Sequence, residues 1–425
     1  MLYSSPLSAS ERGAGGERFC EAKPLPPTPF PKRRGGVRLV AFPFLLLTFV
    51  GCGSCTSDPD AYPDSFVYPP RQDWIVVELP KDVPNQPEPA GELDEAIQRI
   101  NERGGKARNP EDVPEPLRKQ LNEHLRKFFG TPAEPNFAGD DESQSLADEL
   151  GLSPESLATG SKLFRKHCQQ CHGVNGDGRG PTAPWITPHP RDFRQGVFKF
   201  VSTNGTGPRK PTRADLFHTL TNGLPGTQMP MFKLRSEEER QRLIDYVIYL
   251  SVRGRTEFEI LRTLLVHGEP GLNGELAADA REITRNELRA WQKANHDVMP
   301  VTRPSIADNS SELAESIVRG HTLFLDQKGA ACVTCHLNYG RDTKLQYDVW
   351  GTLIKPGDLT DARRKGGIAS EQLYRRIHGG IGPSNMPAAI ALSETQTWDV
   401  VHFLQALPYP DRLPEDVKKH VYPSR

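Results

Sequence analysis

Apolar residues recur at helical spacing in several stretches of this chain, separated by long polar and proline-rich runs. In "EPLRKQLNEHLRKFF", residues 115–129, Leu117, Leu121, Leu125 and Phe128 share one face. That stripe predicts an amphipathic helix packed on a larger body. "LSPESLATGSKLFRKH" predicts a second helix, with Ser153 as its cap and Pro154 at its first position. Leu157, Gly160, Leu163, Phe164 and His167 follow at helical spacing. "SEEERQRLIDYVIYLSV" opens on a capping box, Ser236 with Glu239, and carries a core stripe of Leu243, Val247 and Leu250. "SELAESIVRGHTLFL" and "SETQTWDVVHFLQAL" read in the same way, the latter boxed by Ser393 and Gln396. Residues 253–310 hold two more helical stretches, in which Trp291 and Met299 read as packing residues.

These helices form a duplicated plan. Gly160-x-x-Leu163-Phe164 is matched by Gly320-x-x-Leu323-Phe324. Further along, one offset of 157 aligns Leu216 with Leu373, Leu220 with Ile377, Gly223 with Gly380, Met229 with Met386, Pro230 with Pro387 and Ser236 with Ser393. A repeat of this length means one fold used twice. The organisation is then a signal segment (1–51), a tether with a proline-rich and helical extension (52–144), a first domain (145–252), a helical connector (253–311), a second domain (312–410) and a tail (411–425). The fold class is mainly α.

Composition adds the exterior. The 425 residues are 36% hydrophobic with 39 prolines, so much of the chain is not core. Eight of the prolines lie in 58–90, which predicts an extended, semi-rigid tether; "WIVVEL" within it could instead lie on a domain as a strand. The net charge of −1, with no long basic tract past the N-terminus, gives no argument for nucleic acid. "PKRRGGVR" precedes the apolar run "LVAFPFLLLTFVGC", which has the order of an export signal. A run ending at Gly51-Cys52 resembles a bacterial lipoprotein signal, in which Cys52 receives lipid; an ordinary signal peptide and an uncleaved anchor are the alternatives. Initiation at Val37 rather than Met1 would leave a short basic-then-apolar leader.

The chemistry lies in the cysteines. Of seven, Cys20 leaves with the signal, Cys52 would carry the lipid, and Cys55 has no assigned role. The other four form two CxxCH sites, Cys168-Cys171-His172 and Cys332-Cys335-His336. Zinc needs four ligands, and nothing in the spacing brings the two pairs together. A redox dithiol needs a βαβ setting that the sequence lacks, and a structural disulfide leaves the histidine unexplained. Covalent haem attachment explains all three residues: positions i, i+3 and i+4 share a face, so two thiols meet the porphyrin edge while the imidazole reaches the iron. Two haem c groups follow.

A six-coordinate electron-transfer haem needs a second axial ligand. Met386 is the sole methionine after the second site, and Met229 is its repeat partner. Met231 is a local rival. Bis-histidine ligation through His189, His218, His378 or His402 stays open. Proline after each methionine restricts the loop, and Gly223 and Gly380 are read as left-handed helix ends before it.

Helix, CxxCH, Met-Pro loop and closing helix together resemble class I cytochrome c, over about 145–252 and again over 312–408. "NGDGRGPTAPWITPHPRDFRQGVFKFVST" is similar to cytochrome domains of bacterial respiratory complexes, including quinol-oxidising complexes and oxidase subunits. The resemblance implies that the Pro181 carbonyl steadies His172, and that the second unit, lacking that proline, differs in this support. "PRDF" at 190–193 is echoed by "PGDL" at 356–359. Arg191 is read either as the partner of a haem propionate or as a solvated surface arginine. The expected function is electron transfer between membrane respiratory donors and acceptors, in the periplasm, by a lipid-anchored protein. The alternatives are a dihaem redox enzyme, such as a peroxidase or sulfur-compound dehydrogenase, and a fixed haem subunit of a larger complex.

Overall fold

The computed structural model describes residues 58, 60–84, 93–206, 208–342 and 344–423. The signal segment, Cys52 and Cys55 lie outside the described residues. Among those residues the chain is mainly α, with helices α1 (Leu93–Glu102), α2 (Glu115–Phe129), α3 (Asp141–Glu149), α4 (Pro154–His167), α5 (Gln169–His172), α6 (Arg213–Asn222), α7 (Glu237–His267), α8 (Leu276–His296), α9 (Ser311–Leu325), α10 (Ser370–Gly379), α11 (Glu394–Ala406) and α12 (Glu415–Val421). Strands β1 (Ile75–Glu78) and β2 (Lys106–Arg108) form one small antiparallel sheet. Strands β3 (Gln346–Tyr347) and β4 (Leu353–Ile354) form another. No described helix is long and apolar enough to cross a membrane.

Each domain is built on one crossing of two helices. The Ser153 hydroxyl accepts the Ser156 amide at 3.2 Å and starts α4. Capping boxes start α7 at Ser236 and α11 at Ser393. Where α4 meets α7, Gly160 has no room for a side chain: a Cβ there would strike the Arg242 carbonyl and lie 2.9 Å from Tyr246 Cβ. Gly320 of α9 meets α11 identically, against the Asp399 carbonyl and 2.9 Å from Phe403 Cβ. One turn on, Phe164 packs on Tyr246 at 5.3 Å and Phe324 on Phe403 at 5.6 Å. Glycine lets the two backbones touch, and the aromatic pair locks the angle.

Three boundaries differ from the sequence expectations. The described part of the proline-rich segment, 60–84, is not a free tether. Tyr62, Tyr68 and Ile75 are buried, and the Tyr68 hydroxyl lies 2.8 Å from that of Tyr246 in α7. The strand alternative for "WIVVEL" is the observed one. The boundary at 252 falls inside α7, a single 31-residue helix whose second half packs against α8. Beyond 410, the segment read as a tail places Leu413, Val417 and Val421 in the second core. Helix α2 behaves as expected, burying Leu121, Leu125 and Phe128, with Phe129 edge-on to Tyr249.

Replacing Gly160 or Gly320 by alanine should force the crossing helices apart and cost about 1–3 kcal/mol. Thermal unfolding of each variant checks this; an unchanged midpoint would mean the crossing is looser than the geometry implies.

Candidate functional site

Helix α4 delivers Cys168 to the domain interior, where it is 9% exposed. Burial pushes its thiol up to about 12 and that of Cys332 up to about 11. A redox dithiol needs a depressed thiol pKa, so the environment opposes that chemistry. None of the four CxxCH cysteines is in a disulfide. Among the described residues no three His, Cys, Asp or Glu side chains gather to hold a metal ion, so the two pairs do not form one zinc site. In both copies the histidine amide donates to the first cysteine's carbonyl at 2.9 Å, His172 to Cys168 and His336 to Cys332. That bond closes the turn in each copy.

The imidazoles are held alike. His172 Nδ1 lies 3.0 Å from the Arg191 carbonyl, and His336 Nδ1 lies 3.3 Å from the Gly357 carbonyl. A carbonyl accepts and cannot donate, so Nδ1 carries the proton. Burial pushes His172 down to about 4 and lowers His336 as well, so both rings are neutral at pH 7. A neutral ring protonated at Nδ1 leaves the Nε2 lone pair for a metal. Phe193 stacks on the His172 ring at 4.7 Å and fixes its plane.

The carbonyl expected in this role was that of Pro181, and the structure corrects it. Pro181 is exposed, because its loop folds back on α5: the Gly180 amide donates to Cys171 O at 3.1 Å and the Thr182 amide to Gln170 O at 2.9 Å. The Phe193 amide donates to Gly176 O at 2.7 Å and so draws "PRDF" across the ring. The second copy uses the matching residue of "PGDL". The second imidazole therefore has the same support as the first, contrary to the expectation drawn from its missing proline. The Arg191 side chain is half-buried over Trp350 of the second domain, 3.6 Å from the ring centre, and has no ion-pair partner among the described residues.

The methionine loops share two main-chain bonds. Leu224 N donates to Met229 O at 3.2 Å, and Ile381 N to Met386 O at 2.9 Å. Phe232 N donates to Leu220 O at 2.8 Å, and Ala389 N to Ile377 O at 2.9 Å. Gly223 and Gly380 sit against these loops; a Cβ would lie 2.7 Å from Met229 O and 2.6 Å from Met386 O. Their φ values, 62° and 69°, are positive as expected, but ψ is −163° and −179°, so neither is a left-handed helix end. They occupy an extended region that glycine alone enters freely. Met229 and Met386 are half-buried, whereas Met231 is 67% exposed and Met299 is buried in the connector. His218 hydrogen-bonds Gln372, His378 stacks on Tyr374, and His402 meets Ser316, so each has other work; His189 is half-buried.

Sequence reasoning missed a buried charge cluster behind this loop. Arg194 lies 2.8 Å from Asp73 and 2.9 Å from Asp192, and Arg71 lies 2.8 Å from Asp73. It pins "PRDFR" to the N-terminal segment, and hence the Arg191 carbonyl to His172. The signal available was a set of charges inside apolar stretches, without their pairing.

The donor set fits haem c: paired cysteines in no disulfide, a neutral imidazole whose Nε2 bonds no described residue, and a thioether on a constrained loop. The cytochrome c family profile matches residues 157–251 and 317–408. Among solved structures, a chain of the reducing HAO-like protein complex of Kuenenia stuttgartiensis aligns at 23% identity and a TM-score of 0.43, over 59% of this chain and 95% of that one. That likeness is too loose to bear on function.

Burial opposes ionisation of Asp73, yet Arg194 and Arg71 hold its carboxyl well below the usual range. The stability it contributes is present above its unfolded pKa of about 3.9 and is lost as pH falls through the lowered folded value. Asp73→Asn should cost about 3–5 kcal/mol at pH 7 by leaving the buried Arg71 guanidinium with only a 3.9 Å approach to Asp192, while Arg194 keeps Asp192 alone. Urea unfolding should show the gap from the parent narrowing below about pH 4; a gap independent of pH would refute the pairing.

Proposed function

We propose that this c-type cytochrome, whose residues 157–251 and 317–408 are two cytochrome c domains, carries one haem in each and passes electrons singly between redox proteins. When bound, haem supplies one-electron chemistry, and the chain supplies attachment, ligands and a dry pocket. Cys168 with Cys171, and Cys332 with Cys335, hold the two porphyrins by thioether bonds. His172 and His336 would offer Nε2 to the irons, and Met229 and Met386 would offer sulfur. Arg191, adjacent to the His172 support and without an ion-pair partner among the described residues, is assigned to a haem carboxylate.

The observation that carries this reading is the twice-built methionine loop, anchored by the same two main-chain bonds in each domain. A methionine and a histidine assigned to each haem would leave no ligand position open to substrate, which favours a carrier over a peroxidase or dehydrogenase. The N-terminal segment and α8 bury their apolar faces on α7, so a partner is not needed to explain them. Export to the periplasm, a lipid on Cys52 and quinol-oxidising or oxidase partners complete the proposal.

The oxidised protein should show the near-infrared charge-transfer band of sulfur–iron ligation. Met229→Leu and Met386→Leu should each remove part of it, the double variant all of it, and Met231→Leu none. A native protein without the band would end the His/Met assignment, and cyanide binding at one haem would favour the enzyme.

A further inference from the structure

The two methionine loops are built alike but not held alike. Behind Met386, α10 ends on Gly379 and Gly380, and a guanidinium from the first domain closes on both carbonyls. Arg209 Nη2 lies 3.1 Å from Gly379 O and 3.0 Å from Gly380 O. Its Nη1 donates to Thr203 O on its own side. The Thr203 strut is itself fixed: its hydroxyl donates to Lys210 O at 2.9 Å, it forms a bridge with Val298, and the next amide, Asn204 N, donates to Asp297 O at 2.8 Å. Gly379 makes the space, since a Cβ there would lie 2.5 Å from Nη1. The next residue, Gly380, is the one that touches Met386 O.

The matching end of α6 in the first domain has no such visitor among the described residues. Asn222 Nδ2 donates back to His218 O at 3.0 Å, within its own helix. The asymmetry therefore falls on one iron ligand and not the other.

We propose that Arg209 is a positioning residue for Met386: the first domain sets how firmly the second domain's methionine is held on its iron. A cation at a helix C-terminus, making charge-assisted bonds to two orphan carbonyls, stiffens the peptide that carries the loop. This rests on Met386 as the second ligand of that haem.

The test uses the full-length haem-loaded protein in a Met229→Leu background, where the remaining sulfur band reports Met386. Added imidazole displaces the methionine, and the rate at which the band is lost is read. Arg209→Gln should speed the loss about tenfold or more, the effect of losing a charged hydrogen bond. Arg209→Lys should lie between it and the parent. Gly379→Ala, which expels the guanidinium while keeping Arg209, should match Arg209→Gln. In a Met386→Leu background, where the band reports Met229, Arg209→Gln should change nothing. Unchanged rates in the first background, or equal loosening of both methionines, would overturn the clamp. Absence of any band in Met229→Leu alone would instead remove the Met386 assignment beneath it.

Discussion

A hydrogen bond from an imidazole Nδ1–H to a main-chain carbonyl governs how each domain is arranged. It selects the tautomer, aims Nε2, and obliges a distant loop to cross the ring face. In the first domain that loop is 190–193, and in the second it is 356–359. Each crossing needs a glycine where the loop passes close. Gly178 has φ 73°, and a Cβ there would lie 2.5 Å from Pro190 O; Gly340 has φ 88° and abuts Gly357 O. The second domain also holds Asn338 and Tyr339 at positive φ immediately after its CxxCH turn. That strain persists because Tyr339 is anchored on every side: its carbonyl accepts the Leu359 amide at 2.9 Å, its hydroxyl meets His321 at 2.8 Å, and its ring stacks on Phe324.

The two domains then secure their crossing loops differently. In the first, four buried charges tie the loop to the N-terminal segment, and Glu257 of α7 accepts the Arg71 amide at 3.0 Å. Such a cluster is a costly way to gain stability but a specific one, because every member must be present. In the second, the loop is pinned by main-chain bonds and by Arg364, whose guanidinium donates to Leu359 O and, at 2.8 Å, to Leu404 O. Between the domains, Lys199 pairs with Asp348 at 3.2 Å beside the Arg191–Trp350 stack.

Much of this was legible in the sequence, for a physical reason. Capping boxes at Ser236 and Ser393, the glycines at 160 and 320, and the Met-Pro loops are local devices, and a duplication displays each of them twice. What failed was of another kind. The partner of His172 is a main-chain oxygen, and a carbonyl has no residue identity to read, so Arg191 and Gly357 serve equally. Pro181 was expected to supply that carbonyl on the strength of the resemblance, and it stands in solvent. The continuity of α7 past 252 was hidden because its second half is covered on more than one side, which blurs the amphipathic stripe. The proline-rich segment looked unattached, although Tyr62, Tyr68 and Ile75 are its anchors.

That long helix also bears on how the chain came to be. The family match ends at residue 251, sixteen residues before α7 does at His267. The added length is not an appendage, since Phe258, Leu261 and Leu264 are buried against layers that the repeat alone does not contain. The second copy ends its closing helix at Ala406. Recombination at the edge of the repeat would therefore cut through α7 and sever the first copy's core, and a cut just past residue 408 would strip Leu413, Val417 and Val421 from the second.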